Sequence, residues 1–173
     1  MARNRPTDYP AILAAGALAW IIPGAGHVFL GRKLRGLILF VFINALFWSG
    51  VAIGGVFTVN PRQQRWWCAA QMFTGACGTA GWYRQTRAHA AALGKARERV
   101  TQSGGELSTE QAYKEVLVED KLSLVYPAET VAIAYSGIAG MLNLICIIDA
   151  AFLAAMGAFG EPRPPKGRQE PAE

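Results

Sequence analysis

A chain of 173 residues is one domain in length, yet 52% of it is hydrophobic and only 17% charged, where soluble domains carry roughly a quarter of charged residues. No charge falls within residues 37–61, 66–83 or 130–148, and a water-soluble protein this small cannot bury three such runs. The net charge of +5 comes from Lys and Arg gathered where apolar runs end, which suits a bilayer with anionic headgroups and argues against nucleic acid as a partner.

The expected fold is all-α, a polytopic membrane helix bundle of about four transmembrane helices. A single membrane domain over 1–160 would have spans near 10–30, 36–59, 66–83 and 130–155. The mean hydropathy of +0.20 is diluted by a polar helical loop at 84–129 and a charged, Pro-rich tail at 161–173 that cannot bury apolar area and is expected to be disordered.

The first apolar segment starts at Pro10, which a first helical turn tolerates, and is interrupted at Pro23, which lacks a backbone donor. Carbonyls freed there cannot be satisfied by lipid tails, so residues 23–27 are expected to face the bundle or an interface. A secretory signal peptide is the competing reading, with Arg3 and Arg5 before the apolar stretch and small residues at Gly24, Ala25 and Gly26.

The second segment, 36–59, exceeds the roughly 20 residues needed to cross about 30 Å of hydrocarbon. Its Gly50 and Gly54 form a small-xxx-small pair, which permits close approach of another helix or simply reflects the glycine content of membrane helices. The third, 66–83, carries Trp66 and Trp67 at one end and Trp82 and Tyr83 at the other. On one straight helix these belts would lie about 25 Å apart, at the two interfaces. Gln71, Gly75, Gly78 and Trp82 would then share an inward face.

The loop has as many basic as acidic residues. Residues 84–100 read as an Ala-rich basic helix, extending the third segment or lying on the headgroups, and Ser103-Gly104-Gly105 breaks it. Ser108 with Gln111 makes a capping-box pattern for a second helix to about Leu122, and Pro127 closes the loop. This hairpin serves as a solvated connector or as a docking element for a partner.

The fourth segment stays apolar from Thr130 to Gly160 except for Asn143 and Asp149, about ten residues more than one crossing needs. A span at 131–150 puts Asp149 at an interface. One at 140–159 puts it near mid-membrane, where an ionisable group is a functional candidate.

Residues 23–36, Pro-Gly-Ala-Gly-His-Val-Phe-Leu-Gly-Arg-Lys-Leu-Arg-Gly, resemble a bacterial module in which Pro-Gly-x-Gly-[His/Gln]-x-[Phe/Tyr]-x-Gly and a basic turn join two transmembrane helices. Pro23, Gly24, Gly26, His27, Phe29, Gly31 and Gly36 carry the likeness. The strings 138–145 and 148–150 look like the last segment of an uncharacterised bacterial family, a domain of unknown function, built on that module. The resemblance implies a multi-pass protein of the bacterial inner membrane and no known activity. The residues by themselves read as a hairpin corner, with glycines for tight backbone and Arg32, Lys33 and Arg35 at headgroup level.

No catalytic, metal-binding or cofactor-binding set is expected. The glycines at 24, 26 and 31 are not a phosphate loop, because no strand precedes them and no Gly-Lys-Ser/Thr follows. His27 and His89 lack clustered co-ligands, and Cys68, Cys77 and Cys146 sit in apolar runs without a metal or disulfide spacing. The polar groups at membrane depth are Asn44, Gln71, Asn143 and Asp149. On one helix Asn143 and Asp149 lie about 240° apart, so they do not form a pair there.

Two readings remain: a structural or scaffold component whose loop and tails contact other membrane proteins or a second copy, and a small transporter or channel-like protein using His27, Gln71 and Asp149. Four spans would place both termini on one side with residues 60–65, and Arg32, Lys33 and Arg35 opposite with the long loop, which leans toward the cytoplasm.

Overall fold

A computed structural model describes residues 9–61, 65–104, 106–120, 122 and 128–160. The expectations for Arg3, Arg5, Gly105, Pro127 and the tail from 161 fall outside these residues. Among the described residues every regular element is helical: α1 Tyr9–Ile21, α2 Ala25–Phe29, α3 Lys33–Gly54 with a 3-10 turn Gly55–Thr58, α4 Arg65–Met72, α5 Ala76–Gln102, α6 Thr109–Glu119 and α7 Ala128–Ala155.

Two helical stretches are long and apolar enough to cross a membrane, Lys33–Thr58 and Ala128–Ala155. They pair antiparallel. Gly54 and Gly50 lie against Ala132 and Ser136 at one end, and Arg35 meets Asp149 at the other. A Cβ on Gly50 would stand 2.6 Å from the Ala132 carbonyl oxygen, so the small-xxx-small pair is where α3 and α7 touch backbone to backbone. Ile43, Phe47 and Val51 of α3 form the main apolar cluster with Ala139 and Cys146 of α7, Val59 and Cys68.

The other two apolar runs do not continue straight. α1 has only 13 residues, and the chain turns at Ile22–Gly24, where Pro23 removes a donor and Gly24 takes φ 82°. α2 then doubles back beside α1, with Gly26 against Ala15 and Ala19. Both limbs rest on the far end of α7, where Ala15, Ala19 and Leu30 pack with Ala150, Leu153 and Ala154.

α4 runs alongside α7 in the same direction, with Trp67 on Gly137 and Ala70 on Gly140. At Phe73–Gly75 the helix stops, and Gly75 takes φ 61°. α5 returns the way α4 came, bringing Gly78 to the Gln71 carbonyl and Gly81 to Val59 and Phe47.

These folds correct the expectation of one straight helix at 66–83 and the expected placement of the basic turn. Residues 66–83 are not one helix, so the aromatic belts do not bracket a 25 Å rod, and the expected stripe is divided: Gln71, Gly75 and Gly78 are buried while Trp82 is half exposed. Of the four expected apolar spans, two coincide with helices long and apolar enough to cross a membrane, and the other two are folded-back pairs. The Gly160 N–H donates to the Leu30 carbonyl at 2.7 Å, so the end of α7 and the basic turn at 31–35 lie together, where four straight spans would have separated them.

Beyond Tyr83, α5 continues without a break to Gln102 as the first arm of a polar hairpin. Ala92 and Ala96 pack on Ala112 and Val116 of α6. The capping box at Ser108 and Gln111 forms as expected. Lys95–Asp120 at 2.7 Å and an Arg99–Glu119 pair close the outer face.

Candidate functional site

The polar groups of the apolar half are gathered where the folded-back pairs meet α7. Pro23 cannot donate to the Ala19 carbonyl, and the turn at Phe73–Gly75 leaves the Phe73 carbonyl without its helical donor. Asn143, fully buried on α7, donates one amide hydrogen to Ala19 O at 3.0 Å and the other to Phe73 O at 2.8 Å. One side chain thus holds both turns. The turns also touch each other: Gly75 packs on the Trp20 carbonyl, and Trp20 Nε1 donates to Met72 O at 3.3 Å.

Seven residues before Asn143 on the same face of α7, Ser136 is buried and accepts from Gln71 Nε2 at 2.7 Å. Gln71 also donates to Thr58 O at 3.0 Å, tying α4 to the end of the 3-10 turn. Asn44 donates one amide hydrogen locally, to Phe40 O at 2.8 Å, and its oxygen accepts from Cys77 Sγ at 2.9 Å. Gln71 Oε1 and Asn143 Oδ1 are buried and accept from no group among the described residues.

Toward the other end of α7 lies the motif corner. His27 is fully buried, and its Nε2 donates to Asp149 Oδ2 at 2.7 Å. Arg35 donates to the same oxygen at 2.8 Å. Asp149 is about one-third exposed, so one carboxylate at the rim joins α2 and the start of α3 to α7. His27 Nδ1 and Arg32 Nε have no hydrogen-bond partner among the described residues. Among those residues no group of three or more His, Cys, Asp or Glu is placed to hold a metal ion.

The sequence pattern of a family of unknown function, DUF6677, matches residues 14–162, a stretch that runs from within α1 through both long helices and the second folded-back pair. The chain belongs to DUF6677. No curated protein and no solved structure matches it.

In this DUF6677 chain the motif residues have separate tasks. Gly24 and Gly36 lie in backbone contact, Gly26 fits between α1 and Ala150, and Gly31 takes φ 82° in the basic turn. Phe29 is half exposed on the outer surface. Lys33 is exposed, Arg32 is half-buried, and Arg35 is committed to Asp149. The structure joins His27 to Asp149 and leaves Gln71 apart, bonded to Thr58 and Ser136. Ser136, Thr58 and the Arg35–Asp149 pair join the site without having stood out in the sequence. The i, i+7 spacing of Ser136 and Asn143 was the available signal for the first.

Proposed function

We propose that this DUF6677 protein is a multi-pass component of the cell membrane, in the bacterial inner membrane that the motif resemblance indicates, and that it acts as a structural scaffold. The supporting observation is an inverted distribution of polarity. Only 28% and 39% of the most apolar windows of the two long helices are buried, while His27, Gln71, Ser136 and Asn143 are 0–1% exposed. A core helix of a soluble protein would hide its apolar surface. Here Leu37, Phe42, Ile145 and Phe152 face outward and the hydrogen-bonding groups face in.

The α3–α7 pair has suitable dimensions. From the Arg35–Asp149 contact to the Gly54–Ala132 contact is 19 residues of α3, about 28 Å, against about 30 Å of hydrocarbon. This supports the interfacial register for Asp149. The two folded-back pairs then enter from opposite sides and meet near Asn143 at mid-depth, their irregular backbone covered by protein.

A scaffold is favoured because the membrane-depth amides and Ser136 are engaged with the chain's own backbone or with one another. The α5–α6 hairpin, polar and salt-bridged, is the part that offers a surface to a partner. A transporter reading draws on the His27–Asp149–Arg35 corner alone. Asp149→Asn should leave a scaffold assembled, whereas loss of proton- or cation-coupled flux in reconstituted vesicles would support transport. The membrane reading itself is tested by alkaline carbonate extraction together with labelling of single cysteines at Lys33 and Glu110 in a background lacking the native three. Retention in the membrane with the two sites on opposite sides is expected. Release into the supernatant would overturn the membrane reading, and labelling of both sites from one side would overturn this topology.

A further inference from the structure

The α1–α2 pair stops at mid-depth, and this leaves a groove on the outside of the molecule. It has a volume of about 410 Å³ and lies between Leu18 and Ile22 of the α1 end, Val28 and Phe29 of α2, and Leu37 and Phe40 of α3. Its floor is Pro23, Gly24 and Gly36, all buried. The floor is low because Gly24 and Gly36 are in backbone contact and carry no side chains. The volume lies within the roughly 300–1,000 Å³ of small-molecule sites, and the wall is almost wholly apolar.

The two walls are joined by the turn 30–32, and the charges at that turn are unequal in their commitments. Arg35 is neutralised by Asp149. Arg32 is half-buried with an unpartnered Nε, and Lys33 is exposed at the positive end of α3. Arg32 and Lys33 precede Gly36 and Leu37 of the groove by one helical turn, which puts two cations at the basic-turn end of an apolar groove. That is the shape and charge of a diacyl lipid with an anionic headgroup.

We propose that this groove is a binding site for an anionic phospholipid, with one acyl chain lying between α1–α2 and α3 and the phosphate held by Arg32 and Lys33. The proposal rests on the membrane reading above. The hairpin corner then has a second stabilising partner besides Asp149. The lipid would fill the half of the bilayer that a folded-back pair leaves beside α3.

The test uses the full-length protein, first shown to remain in carbonate-washed membranes, then reconstituted in vesicles of phosphatidylglycerol and phosphatidylcholine with trace spin-labelled lipid of each kind. Wild type should immobilise phosphatidylglycerol preferentially. Arg32→Gln and Lys33→Gln should each reduce that preference about fivefold, the equivalent of about 1 kcal/mol per basic group near a surface. Leu37→Trp, at an exposed position in the groove wall, should reduce immobilisation of both lipids. Equal immobilisation of the two lipids by wild type, or a preference untouched by Lys33→Gln, would overturn the site while leaving the membrane reading intact. A dimer whose groove is shielded from lipid would overturn it in favour of a second copy as occupant. Lys33 is exposed and bonded to no described group, so its variant remains informative even if Leu37→Trp does not fold.

Discussion

The two folded-back pairs reach the same geometry from different sequences. In α1–α2 the turn is forced: Pro23 removes a donor, and Gly24 follows with the left-handed conformation that L side chains resist. In α4–α5 no proline is present, and Phe73-Thr74-Gly75 breaks an otherwise helical run with Gly75 as the only backbone specialist. The first turn is written locally. The second depends on what surrounds it, chiefly the Trp20 carbonyl lying on Gly75 and the amide of Asn143 lying on Phe73. A turn imposed from outside should be the easier of the two to lose.

The sharpest way to break this comparison is at Asn143, which serves both turns. Asn143→Leu leaves the Ala19 and Phe73 carbonyls buried without donors, at about 1–3 kcal/mol each, so a loss of about 2–6 kcal/mol is expected in SDS-induced unfolding of the micelle-solubilised protein. If the two turns differ as argued, α4–α5 opens first. Labelling of Cys77, part-buried just past Phe73–Gly75, should then rise well before any site on α1 becomes reactive. An unchanged unfolding midpoint would show that Asn143 holds neither turn.

A smaller effect separates the turns from each other. Gly75→Ala adds a Cβ against the Trp20 carbonyl at a positive φ, and a cost of about 2–4 kcal/mol is expected from strain and displacement together. Gly94→Ala, in the middle of α5 with nothing near its added Cβ, is the matched control and should stabilise by about 0.5–1 kcal/mol. Equal behaviour of the two variants would mean that Gly75 is not under the constraint described.

Hydropathy registered the apolar runs but not their direction. A run of about 20 apolar residues reads as a crossing whether it is straight or doubled, and the runs at 10–30 and 66–83 are both doubled. Pro23 announced an interruption, and the need for its freed carbonyls to face protein followed from chemistry. What the sequence does not carry is the partner 124 residues away that satisfies one of them. Gln71 read as an inward-facing amide for a partly wrong reason, since the helix that defined its face ends one residue later. The capping box was legible because it is contained within four residues. The Arg35–Asp149 contact was not, because it required α3 and α7 to be antiparallel with the basic turn beside the end of α7.

At the rim, Asp149→Leu and Asp149→Asn test whether the clasp is charge or merely contact. Leucine leaves His27 Nε2 and Arg35 without their shared acceptor, while asparagine keeps one carbonyl oxygen for them. Asp149 and Arg35 are each more than one-third exposed, so solvent screening keeps their ion pair small, and most of a loss of about 1–3 kcal/mol for leucine comes from the orphaned, buried His27 Nε2, against under about 1 for asparagine. The order of the two variants, read from the same unfolding midpoints, is the informative quantity. If asparagine costs as much as leucine, the carboxylate charge and not the shared acceptor holds the corner.

The smallest effect lies outside the apolar half, in α6. Lys114 hydrogen-bonds the Glu110 carboxylate one turn away and holds its pKa below the ordinary carboxylate value. A carboxyl group with a depressed folded-state value adds stability above its unfolded value and loses that contribution as pH falls through the lowered folded value. The hairpin should therefore be unaffected between pH 8 and about 5, and should weaken only below about pH 4, where unfolded Glu begins to take up its proton. Lys114→Met should remove that acid dependence without altering the neutral-pH fold of the hairpin, because Ala92, Ala96, Ala112 and Val116 keep their packing. Amide hydrogen exchange across 106–120 at pH 7 and pH 3.5 gives the comparison. A pH response that survives Lys114→Met would show that the Lys114–Glu110 contact does not carry it.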